Sequence, residues 1–335
     1  MLNKPKIYTN KNKIYPSFLN TYNSGKLEDL IKKSFSLSKS CSICPRRCKI
    51  NRQKDKTGFC KIDRNAVIYN FMAHHGEEPP ISGTQGSGTI FFSGCNMNCV
   101  YCQNFGFSQT KNGREVNSEE LSNFMLQLQN IGCHNINLVT PTHVLPQILS
   151  ALNLAIPKGL KIPLVYNTSG YELKETIELL NGIIDIYLTD MRYGDNASAV
   201  KYSNANNYPK YNQEAVKEMY RQAGTACFNS KGIIKKGLII RHLIMPNNIS
   251  STDKIMKFIS QEISRDTYIS LMSQYTPFYK AKQFQEISRH ITQKEYEEAQ
   301  NIMQKYGLSN GWIQESFGLE EFAGINIKSI NEEKK

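Results

Sequence analysis

The sequence predicts an α/β protein: a partial (β/α)6 TIM-like barrel with a small Cys-rich metal-binding segment on its N-terminal side. Three observations carry this reading. From Gly88 onward, short apolar or β-branched runs alternate with amphipathic helical patterns, the arrangement that yields parallel strands joined by right-handed crossovers. Seven of the nine cysteines fall in two tight groups, 41/44/48/60 and 95/99/102. Residues 36–85 carry the first group among many Arg, Lys and Gly with little periodicity, as in a fold organised by metal rather than by a core.

Each strand reads as a buried parallel strand should: Thr89–Ser93, Asn135–Thr140, Pro163–Asn167, Ile184–Thr189, Gly237–Met245 and Tyr268–Ser273. Helical patterns separate them. One covers Ser118 to Ile131, with Leu121, Phe124, Leu128 and Ile131 on one face and Gly132 as its stop. Others cover Val144–Leu152, Leu173–Leu180 and Lys254–Ile263. The last follows the capping box Thr292-Gln-Lys-Glu295 and ends at Gly307. Periodicity alone leaves a doubly wound open sheet as the alternative. Residues 1–35 read as a polar lead-in, 36–85 as the Cys-rich segment, 86–310 as the barrel and 311–335 as a C-terminal extension.

Composition sets the outer bounds. The chain has 335 residues, 40% apolar, enough for one large domain with an appendage. No stretch approaches 18 consecutive apolar residues, so no membrane helix is expected. The Lys-rich start, Met1 to Asn12, lacks the apolar centre of a secretory signal, and the protein is expected in the cytoplasm. The net charge of +12 admits an acidic or nucleic-acid partner. The lysines are scattered with no aromatic-interleaved stripe, so nucleic-acid binding is not expected. In such a chain clustered cysteines read as metal ligands rather than disulfides. Cys133 and Cys227 read as buried apolar residues.

Gly94-Cys95-Asn96-Met97-Asn98-Cys99-Val100-Tyr101-Cys102 has the spacing C-x₃-C-x₂-C directly after the first barrel strand. Three thiolates ligate three irons of a [4Fe–4S] cube and leave the fourth iron open, which is what chemistry at a metal requires. Three cysteines make a poor structural zinc site, because zinc takes four ligands. In the first group, Cys41-x₂-Cys44-x₃-Cys48-x₁₁-Cys60 supplies four thiolates. They suit a closed second site, zinc or iron–sulfur, which spacing does not distinguish. Arg46, Arg47 and Arg52 offset the thiolate charge.

The triad, with an aromatic just before its last cysteine, is the signature of the radical S-adenosylmethionine (SAM) superfamily. Phe91 to Asn104 resembles the branch that contains the pyruvate formate-lyase activating enzymes, and within it a poorly characterised subgroup of activase homologues. Matching segments run from Cys41 to Cys48, Gly76 to Gly83, Asn135 to His143, Tyr166 to Tyr171, Arg241 to Pro246 and Ser270 to Tyr275, so the resemblance spans about 40–305. It implies a radical SAM barrel, a [4Fe–4S] cluster on Cys95, Cys99 and Cys102, and SAM bound to the open iron. It also implies a 5′-deoxyadenosyl radical that abstracts hydrogen from a substrate, a reducing partner such as flavodoxin or ferredoxin, and a glycyl-radical enzyme as the activase's target.

The resemblance implies SAM contacts as well. Tyr101 is expected near the adenine. The second strand normally ends in a Gly-Gly-Glu-like edge. This chain has Leu138 to His143 there, leaving Thr140 and Thr142 as polar groups, and the Gly76-Glu77-Glu78-Pro79 run, before the cluster strand, reads as a separate element. Asn167, Thr168 and Ser169 end the third strand, where a barrel carries its active site. Asp190 and Arg192 end the fourth and are expected on the SAM carboxylate and ribose. In the activases these loops also hold a monovalent cation; here Asn167 stands in place of an Asp. His242 in the fifth strand is a further candidate contact, and His143 another. His74 and His75 are candidates for the substrate cleft or the first cysteine group. Two other readings stand beside the activase: a radical SAM enzyme acting on another peptide, RNA or small molecule, and a metal-stapled scaffold without SAM chemistry, against which the intact triad argues.

Overall fold

The computed structural model describes residues 15–313 and the backbone of 321–322 and 325–326. The expected lead-in (through residue 14) and most of the expected C-terminal extension (314–335) lie outside the described residues. Its centre is a ten-stranded sheet formed by β1 (Ala66–His74), β2 (Ser87–Phe92), β3 (Arg114–Val116), β4 (Ile136–Val139), β5 (Leu164–Thr168), β6 (Ile186–Asp190), β7 (Cys227–Phe228), β8 (Ile234–Leu243), β9 (Tyr268–Met272) and β10 (Gly311–Ile313). The main path runs β10-β9-β8-β6-β5-β4-β2-β1-β3, with β7 paired to β8.

Every pairing from β2 through β10 along that path is parallel. Helices Ser118–Asn130, Leu145–Ala155, Lys174–Glu178, Tyr208–Ala223, Thr252–Phe258 and Gln293–Lys305 supply the crossovers after β2, β4, β5, β6, β8 and β9. These are the six strand–helix units of the expected barrel. Among the described residues, β10 and β3 end the path without pairing to each other, so the barrel is partial. The capping box Thr292/Glu295 forms as expected, and Asn117 with Glu120 makes a second at the helix starting at Ser118. The structure adds detail to the N-terminal part of the expected domain scheme. Residues 18–39, within and just past the expected polar lead-in, form two helices, Phe18–Asn23 and Lys26–Lys39. Residues 66–74 are sheet, antiparallel to β2, so the Cys-rich segment is shorter than 36–85.

The chain between β1 and β2 folds into the barrel. Ile81, fully buried, packs with Val165, Ile186, Leu188 and Ile239 of β5, β6 and β8, and its carbonyl accepts from Asn135 Nδ2 at 2.8 Å. Glu77 lies nearer the C-terminal strand ends: its Oε1 accepts from Asn137 Nδ2 at 3.0 Å and Asn167 Nδ2 at 3.2 Å. The barrel thus carries a plug with an apolar base and an acidic upper surface. Among the described residues no helix is long and apolar enough to cross a membrane.

Candidate active site

Cys95, Cys99 and Cys102 lie on the loop that leaves β2. Gly94, at φ +79°, turns the chain there; a β-carbon on it would sit 2.3 Å from the Cys60 carbonyl oxygen, so only glycine fits. Each sulfur meets a polar hydrogen-bonding group. The Met97 amide donates to Cys95 Sγ (3.3 Å), Ser203 Oγ donates to Cys99 Sγ (3.0 Å), and Ser108 Oγ lies 3.1 Å from Cys102 Sγ. Tyr193 OH ties Ser203 Oγ to Tyr101 OH, both at 2.7 Å. A tyrosine-rich cluster of Tyr101, Tyr171, Tyr193, Tyr202, Tyr208 and Tyr275 encloses the loop. Burial, then the neighbouring Cys99 sulfur, pushes Cys95 up to about 12 and Cys102 up to about 11. Three thiols crowded on one buried loop constitute a donor set that a metal cluster satisfies and water does not.

The loop caps a cavity of about 1000 Å3, open mouth included, at the C-terminal ends of the strands. Tyr101, Cys102, Asn167, Asp190 and Arg192 line it, as do His74, Glu77, Arg241 and Gln274. Asp190 bridges two guanidiniums: Oδ1 accepts from Arg241 Nε at 2.8 Å, Oδ2 from Arg192 Nη2 at 2.5 Å. Burial alone would push the Asp190 carboxyl up, yet Arg241 and Arg192 outweigh it and hold the carboxyl below the usual range. Arg192 Nη1 reaches within 3.9 Å of Cys99 Sγ, so this side chain links the Asp190 carboxylate to the cysteine loop. The buried Arg192 Nε, Asn104 Oδ1 and Gln274 Oε1 have no hydrogen-bond partner, and all three residues line the cavity. A donor and two acceptors left open here fit a zwitterionic, polyhydroxylated ligand such as SAM.

Several expected SAM contacts are turned elsewhere. Thr142 Oγ1 donates to Glu172 Oε1 at 2.5 Å, and Thr168 Oγ1 donates to the same oxygen. Burial pushes Glu172 up to about 7, and these hydroxyls offset part of that. Both threonines serve this buried carboxyl, away from the cavity lining. Thr140 sits in the left-handed region at φ +56°, its amide bonded to the Asn167 carbonyl at 2.9 Å, and it too is off the lining. Ser169 is likewise outside it; its Oγ is buried without a partner and its carbonyl accepts from Tyr208 OH.

His242 is fully buried on the other face of β8, with Nδ1 2.7 Å from the Met191 carbonyl and Nε2 3.0 Å from Thr252 Oγ1. Its neighbour Arg241 faces the cavity instead. Side chains alternate along a strand, and β8 is buried on both faces, so the apolar run hides which residue points inward. His143 leaves the SAM side too: it lines a second cavity with Cys41, Cys44, Cys48 and Cys60.

Burial lowers His242 to about 4. A histidine held neutral in the fold stabilises above its unfolded value near 6.5, and that stability is lost as pH falls toward 4. Wild type should therefore lose about 2 kcal/mol more than His242→Asn between pH 7 and pH 5, measured by denaturant unfolding. Equal losses would contradict the assignment.

Sequence reasoning missed Glu77, Arg241, Tyr193, Ser203 and Gln274. Glu77 is partly buried, its carboxyl raised by burial against the pull of Arg241. His74 lines the cavity, whereas His75 is exposed. The available signal for Glu77 was its flanking pattern of two acids before two prolines, Glu77 to Pro80.

A half-open α/β barrel with a three-cysteine loop over a polar cavity at its C-terminal strand ends is the arrangement that an iron–sulfur enzyme with an open iron position would need. Residues 89–259 match the Radical SAM superfamily. The chain belongs to that superfamily, and so to enzymes that use a [4Fe–4S] cluster and SAM. It is 33% identical over 286 residues to the uncharacterized protein MJ0674 of Methanocaldococcus jannaschii, across 82% of this chain and 77% of that protein. Among solved structures it is similar to HydG, a maturase of the [FeFe]-hydrogenase, with 11% identity, 65% of this chain and 48% of that one covered, and a TM-score of 0.41. It is also similar to TYW1 with a lysine-pyruvate adduct bound, with 12% identity, coverage of 63% and 70%, and a TM-score of 0.38.

Proposed function

We propose that Cys95, Cys99 and Cys102 hold the cluster, that Arg192 and Asp190 orient SAM above the cavity, and that the chain acts as an activase-like hydrogen-abstracting enzyme on a glycine of a partner. When bound, cluster and SAM supply a 5′-deoxyadenosyl radical. The observation that carries this reading is Arg192, held between Asp190 and Cys99 at the cavity rim. A guanidinium fork there grips a carboxylate bidentately. Ser203, Ser108 and the Met97 amide steady the three sulfurs. Tyr101, its phenol kept protonated by burial and the nearby Cys99 sulfur, closes one wall. The glycyl-radical target is supported by the motif resemblance from Phe91 to Asn104 and by a barrel open between β10 and β3.

A second reading has its own observation. The floor of the cavity is charged: Glu77, Asp190 and Arg241 converge with Asn167. Such a floor favours a small polar substrate over a peptide backbone. The test incubates reduced enzyme and SAM with a glycyl-radical enzyme and records the electron paramagnetic resonance (EPR) spectrum. A glycyl doublet is the expected result. Its absence, with 5′-deoxyadenosine still formed, would transfer the site to the small-molecule reading.

A further inference from the structure

The three sulfurs of the triad meet different donors, and one of those donors leads elsewhere. The Met97 amide on Cys95 belongs to the loop itself. Ser108 Oγ, beside Cys102, takes a bond from its neighbour Gln109 at 3.3 Å. Cys99 differs. Ser203 Oγ lies 3.0 Å from its sulfur, Tyr193 OH 2.7 Å from Ser203 Oγ, and Tyr101 OH 2.7 Å from Tyr193 OH. Cys99, Ser203, Tyr193 and Tyr101 are all buried. Tyr101 lines the cavity, so an unbroken row of hydroxyls runs from the cavity wall to one cysteine sulfur.

The backbone holds this row in place. Ser203 ends the helix Asn196–Ser203, and the cysteine loop satisfies carbonyls that a helix end leaves open: Asn98 N donates to Ser203 O at 3.0 Å and Val100 N to Tyr202 O at 2.8 Å. Tyr208 packs edge-on against the Tyr193 ring, centroids 5.6 Å apart. The Ser203 bond is also unlike those of other helical serines in this chain. Ser34 and Ser38 donate to carbonyls three residues back, both at 2.7 Å. Ser203 gives its proton to a sulfur instead. A neutral thiol is a weak acceptor, whereas a ligated thiolate is charged and takes a stronger bond. Each hydroxyl has one proton to give. A thiolate can only accept, so Ser203 donates to Cys99, Tyr193 to Ser203 and Tyr101 to Tyr193. The row is polarised toward the sulfur, each bond strengthening the next.

We propose that Tyr101, Tyr193 and Ser203 form a polarised hydrogen-bond relay that sets the reduction potential of the cluster through Cys99, with Tyr193 and Ser203 as its positioning residues. This rests on the reading of Cys95, Cys99 and Cys102 as cluster ligands. Reduction adds one electron to the cluster, and the protons of the relay stay on their oxygens. The added negative charge spreads onto the sulfurs, so a donor aimed at one of them favours the reduced form. Arg192 Nη1 approaches the same sulfur to 3.9 Å, so a charge as well as a hydroxyl pulls on Cys99. Because the relay begins at Tyr101, the potential depends on how that wall of the cavity is held.

The test is an EPR-monitored potentiometric titration, with dithionite as reductant, of anaerobically reconstituted wild type and single variants, each with its iron and sulfide counted. Ser203→Ala should lower the midpoint by about 59 mV, a tenfold fall in the equilibrium constant for one-electron reduction. Ser203→Thr, which keeps a hydroxyl, should restore most of it. Tyr193→Phe should lower the same constant about two- to threefold, because Ser203 keeps its bond to Cys99 but loses the donor behind it. Tyr101→Phe should act in the same direction by less. Tyr275→Phe is the control. Tyr275 packs on Tyr101, ring centroids 5.7 Å apart, but its hydroxyl goes to the Ile287 carbonyl, and losing it should leave the midpoint where it is. A wild-type midpoint in Ser203→Ala or in Tyr193→Phe would overturn the relay. So would a Tyr275→Phe shift as large as that of Tyr193→Phe. Tyr193→Phe removes a single oxygen and decides the question if Ser203→Ala fails to load. If wild type takes up no iron and sulfide, the ligand reading of the triad fails instead.

Discussion

Replacing Cys95, Cys99 or Cys102 by Ala should remove the catalytic cluster and lower 5′-deoxyadenosine formation by about 10³-fold or more. On the proposed assignment the cluster would have three protein ligands, with one iron given over to SAM. Losing a second iron's ligand leaves too few anchors, whereas changes one shell further out typically cost 10–100-fold in metal affinity. The expected size follows from that contrast. Ser203→Ala, which removes one hydroxyl from Cys99 Sγ, should fall in the milder range. Cys133, buried against the helix Ser118–Asn130 and away from both groups, should change to Ala with no loss of iron. Iron content and product yield, measured on the same samples, check all three. A Cys99→Ala protein that keeps its product yield would contradict the ligand assignment.

Arg192→Ala should weaken SAM binding by about 30- to 1000-fold, equivalent to about 2–4 kcal/mol, with the cluster retained. The guanidinium is pinned by Asp190, so its position is fixed before SAM arrives and the binding gain is not spent on ordering a side chain. Arg192→Lys should recover little, because a point charge replaces a planar fork. Asp190→Asn should produce a smaller loss in the same direction. It keeps a carbonyl oxygen for one arginine but removes the charge that both Arg192 and Arg241 face. Titration of SAM into reconstituted protein measures these affinities. Unchanged affinity in both Arg192→Ala and Asp190→Asn would assign the pair to the fold alone.

Much of this architecture is legible before any coordinates. The buried parallel strands are short apolar runs, and the crossover helices after β2, β4, β8 and β9 carry a clear apolar face, so the six units can be read in order. The triad is legible because its spacing is local. What escaped is what depends on parity or on distant partners. In β8 both faces are buried, and no alternation marks Arg241 as inward and His242 as outward. Thr142 and Thr168 look like strand-end ligands until Glu172 is seen to take both hydroxyls. Glu77 reads as loop, since only the fold of the plug carries it to Asn137, Asn167 and Arg241. The helices Lys26–Lys39 and Tyr208–Ala223 went unread although their apolar residues also fall on one face.

The most direct test of the central claim is product analysis of anaerobically reconstituted wild-type protein, reduced with dithionite in the presence of SAM. The site predicts 5′-deoxyadenosine, formed in proportion to the cluster carried on Cys95, Cys99 and Cys102 and absent from the triple-Ala variant. Wild-type protein with its full complement of iron and sulfide that binds SAM but never yields 5′-deoxyadenosine would contradict it.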